Sequence, residues 1–205
     1  MNTLVHVVDD DPGVLTAFGR CLRADGLEVT LSGSPREFLD RYDPGAGGCV
    51  VLDLNMPGMD GLALQRELGC RGPMPPLIFV SGTADVASCA NAMRAGALDF
   101  LTKPVEAGVL LAAVLRGIGA DEAARSRRDS EHAAEQCYGA LTPRERQVLP
   151  HVIAGRLNKQ IAADLGISLK TTKVHRSRIM QKFGVRSVAA LVRLAERAHV
   201  QPGSA

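Results

Sequence analysis

The chain has 205 residues, of which 46% are hydrophobic and 22% are charged, which allows one large domain or two modest ones. No run approaches the roughly 18 uninterrupted apolar residues that span a membrane, and no signal-peptide pattern precedes the first apolar segment. The five cysteines include no Cys-x-x-Cys pair. We therefore expect no zinc cluster, no disulfide framework and no membrane association, and a cytoplasmic protein.

The charge is distributed unevenly along the chain. Residues 1–120 hold 9 basic and 14 acidic side chains, residues 121–140 hold 3 and 5, and residues 141–205 hold 12 and 3. This distribution predicts an acidic domain over 1–120, a linker over 121–140 and a basic domain over 141–205. So basic a domain is typical of proteins that bind a polyanion, most simply nucleic acid.

The acidic domain alternates short apolar segments with amphipathic ones. The apolar segments predict strands near residues 4–8, 28–31, 49–53, 77–81 and 99–102. The amphipathic segments predict helices near residues 12–24, 35–42, 61–70, 84–95 and 105–118. Repeated strand-helix units favour an α/β fold of the flavodoxin-like kind, a five-stranded doubly wound parallel sheet with helices on both faces. Ligands of such sheets bind at the carboxyl ends of the strands.

Polar side chains stand at four of these strand ends. Three aspartates, 9–11, follow the first strand, Asp53 ends the third, Ser81 ends the fourth, and Lys103 follows the fifth. Carboxylates that share a cleft repel unless a cation joins them, and an open set of oxygen ligands suits Mg²⁺. A lysine and a hydroxyl suit an arriving anion. The set predicts phosphoryl transfer, with Asp53 as nucleophile and with Lys103 and Ser81 on phosphoryl oxygens. Each residue alone is more often a helix cap or a loop residue, and only their occurrence together at four strand ends is specific.

The segment 117–140 carries charges of both signs and few large apolar groups. Its alanine, glutamate and arginine content allows a helix, although Gly117 and Gly119 are expected to weaken the start of that helix.

The basic domain predicts a small all-α unit of four helices. Thr142 and Glu145 form a capping-box pattern around Pro143, and the first helix is expected to run to about Ala154. Three further helices are expected to begin at caps, which are Asn158, Ser168 and Ser187. A helix, a glycine-bearing turn and a second helix form a helix-turn-helix.

The third of these helices has two different faces. Its inward face is predicted to carry Thr172, His175, Ile179 and Phe183, with His175 packed and hydrogen-bonded rather than acting as a ligand or base. Its outward face carries Lys170, Lys173, Val174, Ser177 and Gln181. Arg176 and Arg178 lie beside this face and suit contacts with DNA phosphates. A basic and polar stripe fits the DNA major groove, where lysines contact phosphates or guanines and Val174 contacts a thymine methyl. The alternative is a solvated basic face.

The segments "VVDDDP", "VLDLNMPGMDG", "FVSGTAD" and "DFLTKP" resemble the receiver domain of two-component response regulators, over residues 4 to about 118. The resemblance implies that Asp53 accepts phosphate from a sensor histidine kinase. It also implies that Asp10 and Asp53 bind Mg²⁺ through side chains, Asn55 through its carbonyl and Asp9 through water. Ser81 stands where the family has a serine or threonine, Gly82 leaves room for the donor, and Phe100 stands at the aromatic switch position.

Residues 141–197 resemble the LuxR-type helix-turn-helix, and the whole chain resembles response regulators of the FixJ/NarL class. This resemblance implies a transcription factor rather than an enzyme, which binds double-stranded DNA and becomes a homodimer when phosphorylated. Lys173, Val174 and Ser177 would face bases. Thr172 departs from the valine common at its position, and we expect little effect because the two side chains are nearly isosteric.

Two alternatives stay open at this point. An aspartate-nucleophile hydrolase commonly has a second aspartate two residues after the nucleophile, whereas this chain has Asn55 there. A regulator that acts without phosphorylation, and whose receiver serves only for dimerisation, would not need the intact set of Asp10, Asp53, Ser81 and Lys103.

Overall fold

The computed structural model describes residues 4–82 and 86–203. The chain divides into two compact units, Met1–Ala124 and Arg125–Ala205. Within the described ranges, none of the helices combines the length and apolar content needed to cross a bilayer.

The first unit contains a parallel sheet of five strands in the order β2-β1-β3-β4-β5, as the doubly wound prediction requires. The strands are β1 (Leu4–Val8), β2 (Glu28–Ser32), β3 (Cys49–Asp53), β4 (Leu77–Ser81) and β5 (Asp99–Thr102). The helices between them are α1 (Pro12–Ala24), α2 (Pro35–Arg41), α3 (Gly61–Arg71) and α4 (Val86–Arg94). Predicted and observed bounds agree closely, and residues 84 and 85 of the helix expected over 84–95 lie outside the described ranges.

The strand that ends in Asp53 is buried on both faces. Cys49 and Val51 pack into a core beneath α1 and the helix that follows β5, whereas Val50 and Leu52 pack into a second core beneath α2, α3 and α4. Burial on both faces explains why this strand is continuously apolar. The sheet therefore carries Asp53 rigidly to its carboxyl edge.

The fifth helix, α5, spans Ala107–Gly139 and includes most of the predicted linker. This helix runs without a break through Gly117 and Gly119, whereas the sequence predicted a helix that ends near residue 118 and a weakened start for any helix in the linker. A Cβ at Gly117 would lie 2.9 Å from Cys49 Cβ, so the missing side chain lets the helix pack directly on β3. Asp121, four residues further on, is buried and accepts a hydrogen bond of 2.8 Å from the Gly48 amide. The division between the two compact units falls inside this helix.

The second unit adds α6 (Pro143–Ile153), α7 (Asn158–Asp164), α8 (Leu169–Lys182) and α9 (Val188–Arg197). The Thr142–Glu145 capping box and the caps at Ser168 and Ser187 are confirmed. The predicted cap at Asn158 is wrong, because Asn158 is the first helical residue and Leu157 occupies the cap position. The core of this unit also takes up the last turns of α5, whose Cys137 and Tyr138 pack against it.

Candidate functional site

The carboxyl edge of the sheet brings together three polar side chains that the rest of the fold buries. Asp53 ends β3 and is 6% exposed, Asp9 follows β1 and is 2% exposed, and Ser81 ends β4 and is 0% exposed. The tight start of α3 helps to form this edge. A Cβ at Gly61 would lie 2.4 Å from the Asp53 carbonyl oxygen, so only glycine lets the helix begin so close to the end of β3.

Lys103 supplies the cation of the cleft. Its Nζ donates to Asp9 Oδ2 at 2.6 Å and to Asp53 Oδ1 at 2.7 Å. The remaining oxygens accept backbone hydrogen bonds, Asp53 Oδ2 from the Asn55 amide at 2.7 Å and Asp9 Oδ1 from the Asp11 amide at 2.9 Å. The mutual repulsion of the two carboxylates is thus offset by one ammonium and two amides.

Burial and pairing act in opposite directions on the charged groups of the cleft. Burial raises the pKa of the Asp53 carboxyl, and the contacts with Lys103 only partly offset that rise. Burial alone would lower the pKa of Lys103, but its hydrogen bonds to Asp53 and Asp9 outweigh this effect and raise the pKa. Lys103 therefore stays charged across the physiological range. Asp53 is largely removed from water. A cation bound beside it, or a covalent change to its carboxylate, therefore changes the electrostatic energy of the cleft strongly.

The other predicted magnesium ligands lie at the rim. Asp10 and Asn55 are exposed, and Asp11 rather than Asp10 caps α1 by accepting from the Gly13 amide at 2.7 Å. Among the described residues, no group of three or more carboxylate, imidazole or thiol side chains is arranged to hold a metal ion. Mg²⁺ sites commonly use only one or two carboxylates and complete the shell with water and substrate oxygens. The oxygen-only donor set at this edge fits that pattern.

Phe100 lies in the centre of β5 and is half-buried. Its ring stacks on Phe79 with centroids 6.2 Å apart and an interplanar angle of 21°. The side chain therefore belongs partly to the core and partly to the surface, which is where a ring must lie if it is to change rotamer without breaking the core.

The helix-turn-helix places the predicted DNA-contacting residues as expected. Thr172 and Ile179 of α8 are buried in the core of the unit, as is Phe183, the residue that follows the helix at its C-cap. The opposite face is exposed, and it carries Lys170, Lys173, Val174, Ser177, Arg178 and Gln181. The Ser168 side chain accepts from the Thr171 amide at 3.0 Å and fixes the start of this helix.

Two residues of α8, His175 and Arg176, differ from the sequence-based expectation. His175 is packed as predicted, but its Nδ1 is buried without a hydrogen-bond partner in the described part of the chain. Arg176 is half-buried, unlike its exposed neighbours, and its guanidinium donates to Asn158 Oδ1 at 3.0 Å. Asparagine at a helix start usually indicates a cap, and this contact with α8 explains why Asn158 does not serve as one.

Comparison with known proteins identifies both units. The family model described as "Response regulator receiver domain" matches residues 5–115, and the model described as "Bacterial regulatory proteins, luxR family" matches residues 139–195. The chain belongs to the response regulators. It is therefore a DNA-binding transcriptional regulator of a two-component system.

Relatives match this response regulator over nearly its whole length. The response regulator protein TodT of Pseudomonas putida is 40% identical over 95% of this chain and 86% of TodT. The transcriptional regulatory protein FixJ of Azorhizobium caulinodans is 40% identical over 97% of this chain and 94% of FixJ. A low-resolution structure of the response regulator StyR covers 96% of this chain and 100% of StyR, with 42% identity and a TM-score of 0.86.

Membership of this family makes the general partners clear. Response regulators of this family interact with sensor kinases and with DNA, and their receiver domains bind Mg²⁺ for phosphorylation. Sequence reasoning placed Lys103 on phosphoryl oxygens and did not predict its direct contact with Asp9. The burial of Asp121 against the Gly48 amide and the hydrogen bond of Asn158 with Arg176 were also not predicted. No sequence signal distinguishes a polar residue with such a distant partner from an ordinary surface residue.

Proposed function

We propose that Asp53 is the phosphoacceptor of this response regulator and that its phosphorylation by a sensor histidine kinase raises the affinity for DNA. The observation that carries the proposal is the position of Asp53 Oδ1, 2.7 Å from the Lys103 ammonium at the carboxyl edge of the sheet. The carboxylate that would act as nucleophile thus lies beside a cation that can also contact the negatively charged phosphoryl group when it arrives.

The chemistry is a phosphoryl transfer from nitrogen to oxygen. A carboxylate oxygen of Asp53 attacks the phosphorus of a phosphohistidine, the N–P bond breaks, the imidazole leaves, and an acyl phosphate forms. Lys103 exchanges its contact with the carboxylate for one with a phosphoryl oxygen while it keeps Asp9 as a partner. The side chains of Asp10 and Asp53 and the backbone carbonyl of Asn55 would hold Mg²⁺, and Asp9 would contact the ion through water. When bound, the ion supplies neutralisation of the phosphoryl charge.

A groove beside the acceptor fits a docking partner. It has a volume of about 560 Å³ and is lined by Asp11 at the cap of α1, by Gly13, Val14, Ala17 and Phe18 of α1, and by Lys103, Pro104 and Val105. Apart from Asp11 and Lys103 the lining is apolar, and its position next to the lysine that contacts Asp53 supports the docking of the kinase on α1 within reach of Asp53.

The switch is proposed to pass from Ser81 to Phe100. A hydrogen bond from the Ser81 hydroxyl to a phosphoryl oxygen would draw the end of β4 towards Asp53, and Phe100 would turn into the space released. The half-buried position of Phe100 against Phe79 supports this role. The change would reshape the surface formed by α4, β5 and the start of α5.

That surface is proposed to pair two copies of the phosphorylated chain. Val86 of α4 is 85% exposed, Met93 is 43% exposed and Val109 of α5 is 47% exposed, so apolar area is available there. Ala97, between α4 and β5, is only 7% exposed and belongs to the core rather than to this surface. Two paired receivers would bring two α8 helices to half-sites about one helical turn apart. Since DNA is the partner, the proposed location is the cytoplasm.

Two measurements on the full chain test this function. Acetyl phosphate with Mg²⁺ should produce a phosphorylated band on a phosphate-affinity gel from the wild type and none from Asp53→Asn. Selection from random duplexes should then recover a sequence that the phosphorylated chain binds more tightly than the unphosphorylated one. Equal affinity of the two forms would instead favour a regulator that works without phosphorylation.

A further inference from the structure

The first residue of α7 is directed towards α8 rather than towards its own helix. Asn158 Oδ1 accepts a hydrogen bond of 3.0 Å from Arg176, eighteen residues further along the chain. The start of α7 is satisfied without Asn158, because the Leu157 amide donates to Gln160 Oε1 at 2.8 Å. The side-chain oxygen of Asn158 therefore bonds to an arginine of α8, the helix with the exposed basic face, and not to its own helix.

Arg176 is held at the border between the buried and the exposed face of α8. It is half-buried, whereas Lys173 and Ser177 beside it are exposed. A guanidinium has five N–H donors, so the contact with Asn158 fixes its orientation and leaves donors for another acceptor. A long side chain that is already fixed loses less conformational freedom when it binds.

The chemical identity of the partner preserves the charge of Arg176. Asn158 is neutral, whereas the carboxylate of α7, Asp164 at the other end of the helix, pairs with Arg156. A carboxylate at position 158 would form an ion pair with Arg176 and offset the charge that a phosphate needs. An amide orients the guanidinium without neutralising it.

We propose that Asn158 is a positioning residue that orients Arg176 to bind a backbone phosphate of DNA where α7 meets α8. This inference rests on the DNA-binding role of the α8 surface. Asn158 contributes through Arg176 and makes no ionic contact itself. Arg176 is thus a phosphate contact that fixes the register of α8 in the groove, while the exposed stripe reads the bases.

The test is a double-mutant cycle on the full chain, with a duplex selected from random sequence and with an unselected duplex. Arg176→Ala should reduce the steepness of log K against log[salt] by about 0.9, the value for one phosphate contact. Asn158→Ala should leave the slope unchanged, because the charge remains. It should reduce the affinity for both duplexes by about 2-fold to 12-fold, which corresponds to the cost of immobilising one long side chain.

The decisive arm is the double variant. If Asn158 acts through Arg176, Asn158→Ala should have no further effect once Arg176 is alanine. Asn158→Asp should reduce both the affinity and the salt slope, because the new carboxylate pairs with Arg176. Gln147→Ala on α6 is the matched control, because it also removes an amide that accepts a hydrogen bond from an arginine, here Arg144 at 2.5 Å. This control should leave the DNA affinity unchanged.

The possible results separate the inference from the underlying function. Additive losses in the double variant, or an unchanged salt slope for Arg176→Ala, overturn the inference while the DNA-binding role stands. A wild-type chain that binds neither duplex overturns both. Equal unfolding midpoints by circular dichroism for the wild type and for Asn158→Ala would support positioning, whereas a large drop that accounts for the loss of binding would overturn it.

Discussion

The Lys103 ammonium lies 2.7 Å from Asp53 Oδ1, although β3 and β5 are separated in the sheet by β4. The loop after β5 therefore reaches across a whole strand to pair its lysine with Asp53. It follows that the unphosphorylated cleft is stabilised by a cation of the chain itself, and that any group added to Asp53 changes the environment of that lysine.

Lys103→Met should destabilise the unphosphorylated protein. The variant leaves Asp9 and Asp53 facing each other without their shared ammonium. We expect a loss of about 2 kcal/mol, somewhat below the roughly 3–5 kcal/mol of a fully buried broken pair, because the Lys103 side chain is 24% exposed. The loss should grow as pH rises through the raised folded pKa of Asp53, because the Asp53 carboxylate is then charged without the lysine beside it. Urea unfolding at acidic and neutral pH measures this, with exposed Arg66→Met on α3 as the control.

Asp53→Asn should abolish phosphate uptake without loss of stability. Because burial raises the pKa of Asp53 in the folded chain, ionising this group opposes folding. Its contribution to stability is full at low pH and falls as pH rises from the unfolded carboxyl pKa through the folded one. The variant should therefore unfold at a higher urea concentration than the wild type at pH 7, and the difference should shrink towards pH 3. A variant less stable than the wild type at pH 7 would contradict this reading of the cleft.

Mg²⁺ should raise the thermal unfolding midpoint of the wild type relative to the same sample in EDTA, because the ion binds the folded cleft and not the unfolded chain. Asp10→Asn should lose most of this increase, since it removes one of the two side-chain ligands proposed. Asp40→Asn, which changes an exposed aspartate of α2, is the matched control and should respond to Mg²⁺ like the wild type. An Asp10→Asn variant with the full response would exclude Asp10 as a ligand.

Lys182→Met should destabilise the C-terminal unit through Glu145. Glu145 is 1% exposed and accepts from Lys182 at 2.7 Å, and Lys182 also donates to the Ala140 carbonyl at 2.9 Å. Burial alone would raise the pKa of Glu145, but its hydrogen bonds from Lys182 and Thr142 hold that pKa below its ordinary value. The stabilisation is therefore present above the unfolded carboxyl pKa and is lost as pH falls through the lower folded value. Hydrogen exchange of the α6 and α8 amides should quicken at pH 7 by a factor that corresponds to about 2 kcal/mol. Unchanged exchange would show that the pair adds no stability.

The sequence predicted what local pattern determines and missed what distant packing determines. The strand before Asp53 could be predicted because continuous apolar residues indicate a strand buried on both faces. The start of α8 could be predicted because Ser168 is a strong cap. The passage of α5 through Gly117 could not be predicted, because the reason is the closeness of Cys49, far away in the sequence. The direct contact between Lys103 and Asp9 was missed for the same reason.

The central claim is that phosphorylation of Asp53 controls DNA binding, and one titration tests it most directly. The full-length wild type and Asp53→Asn are each titrated onto the selected duplex with Mg²⁺, with and without beryllofluoride, and their masses are followed by sedimentation. Beryllofluoride should raise the affinity of the wild type by roughly 10²–10⁴, as tethering of two binding units predicts, and should double its mass, while Asp53→Asn stays unchanged. A wild type that stays monomeric with unchanged affinity, or an Asp53→Asn variant that responds equally, would contradict the account.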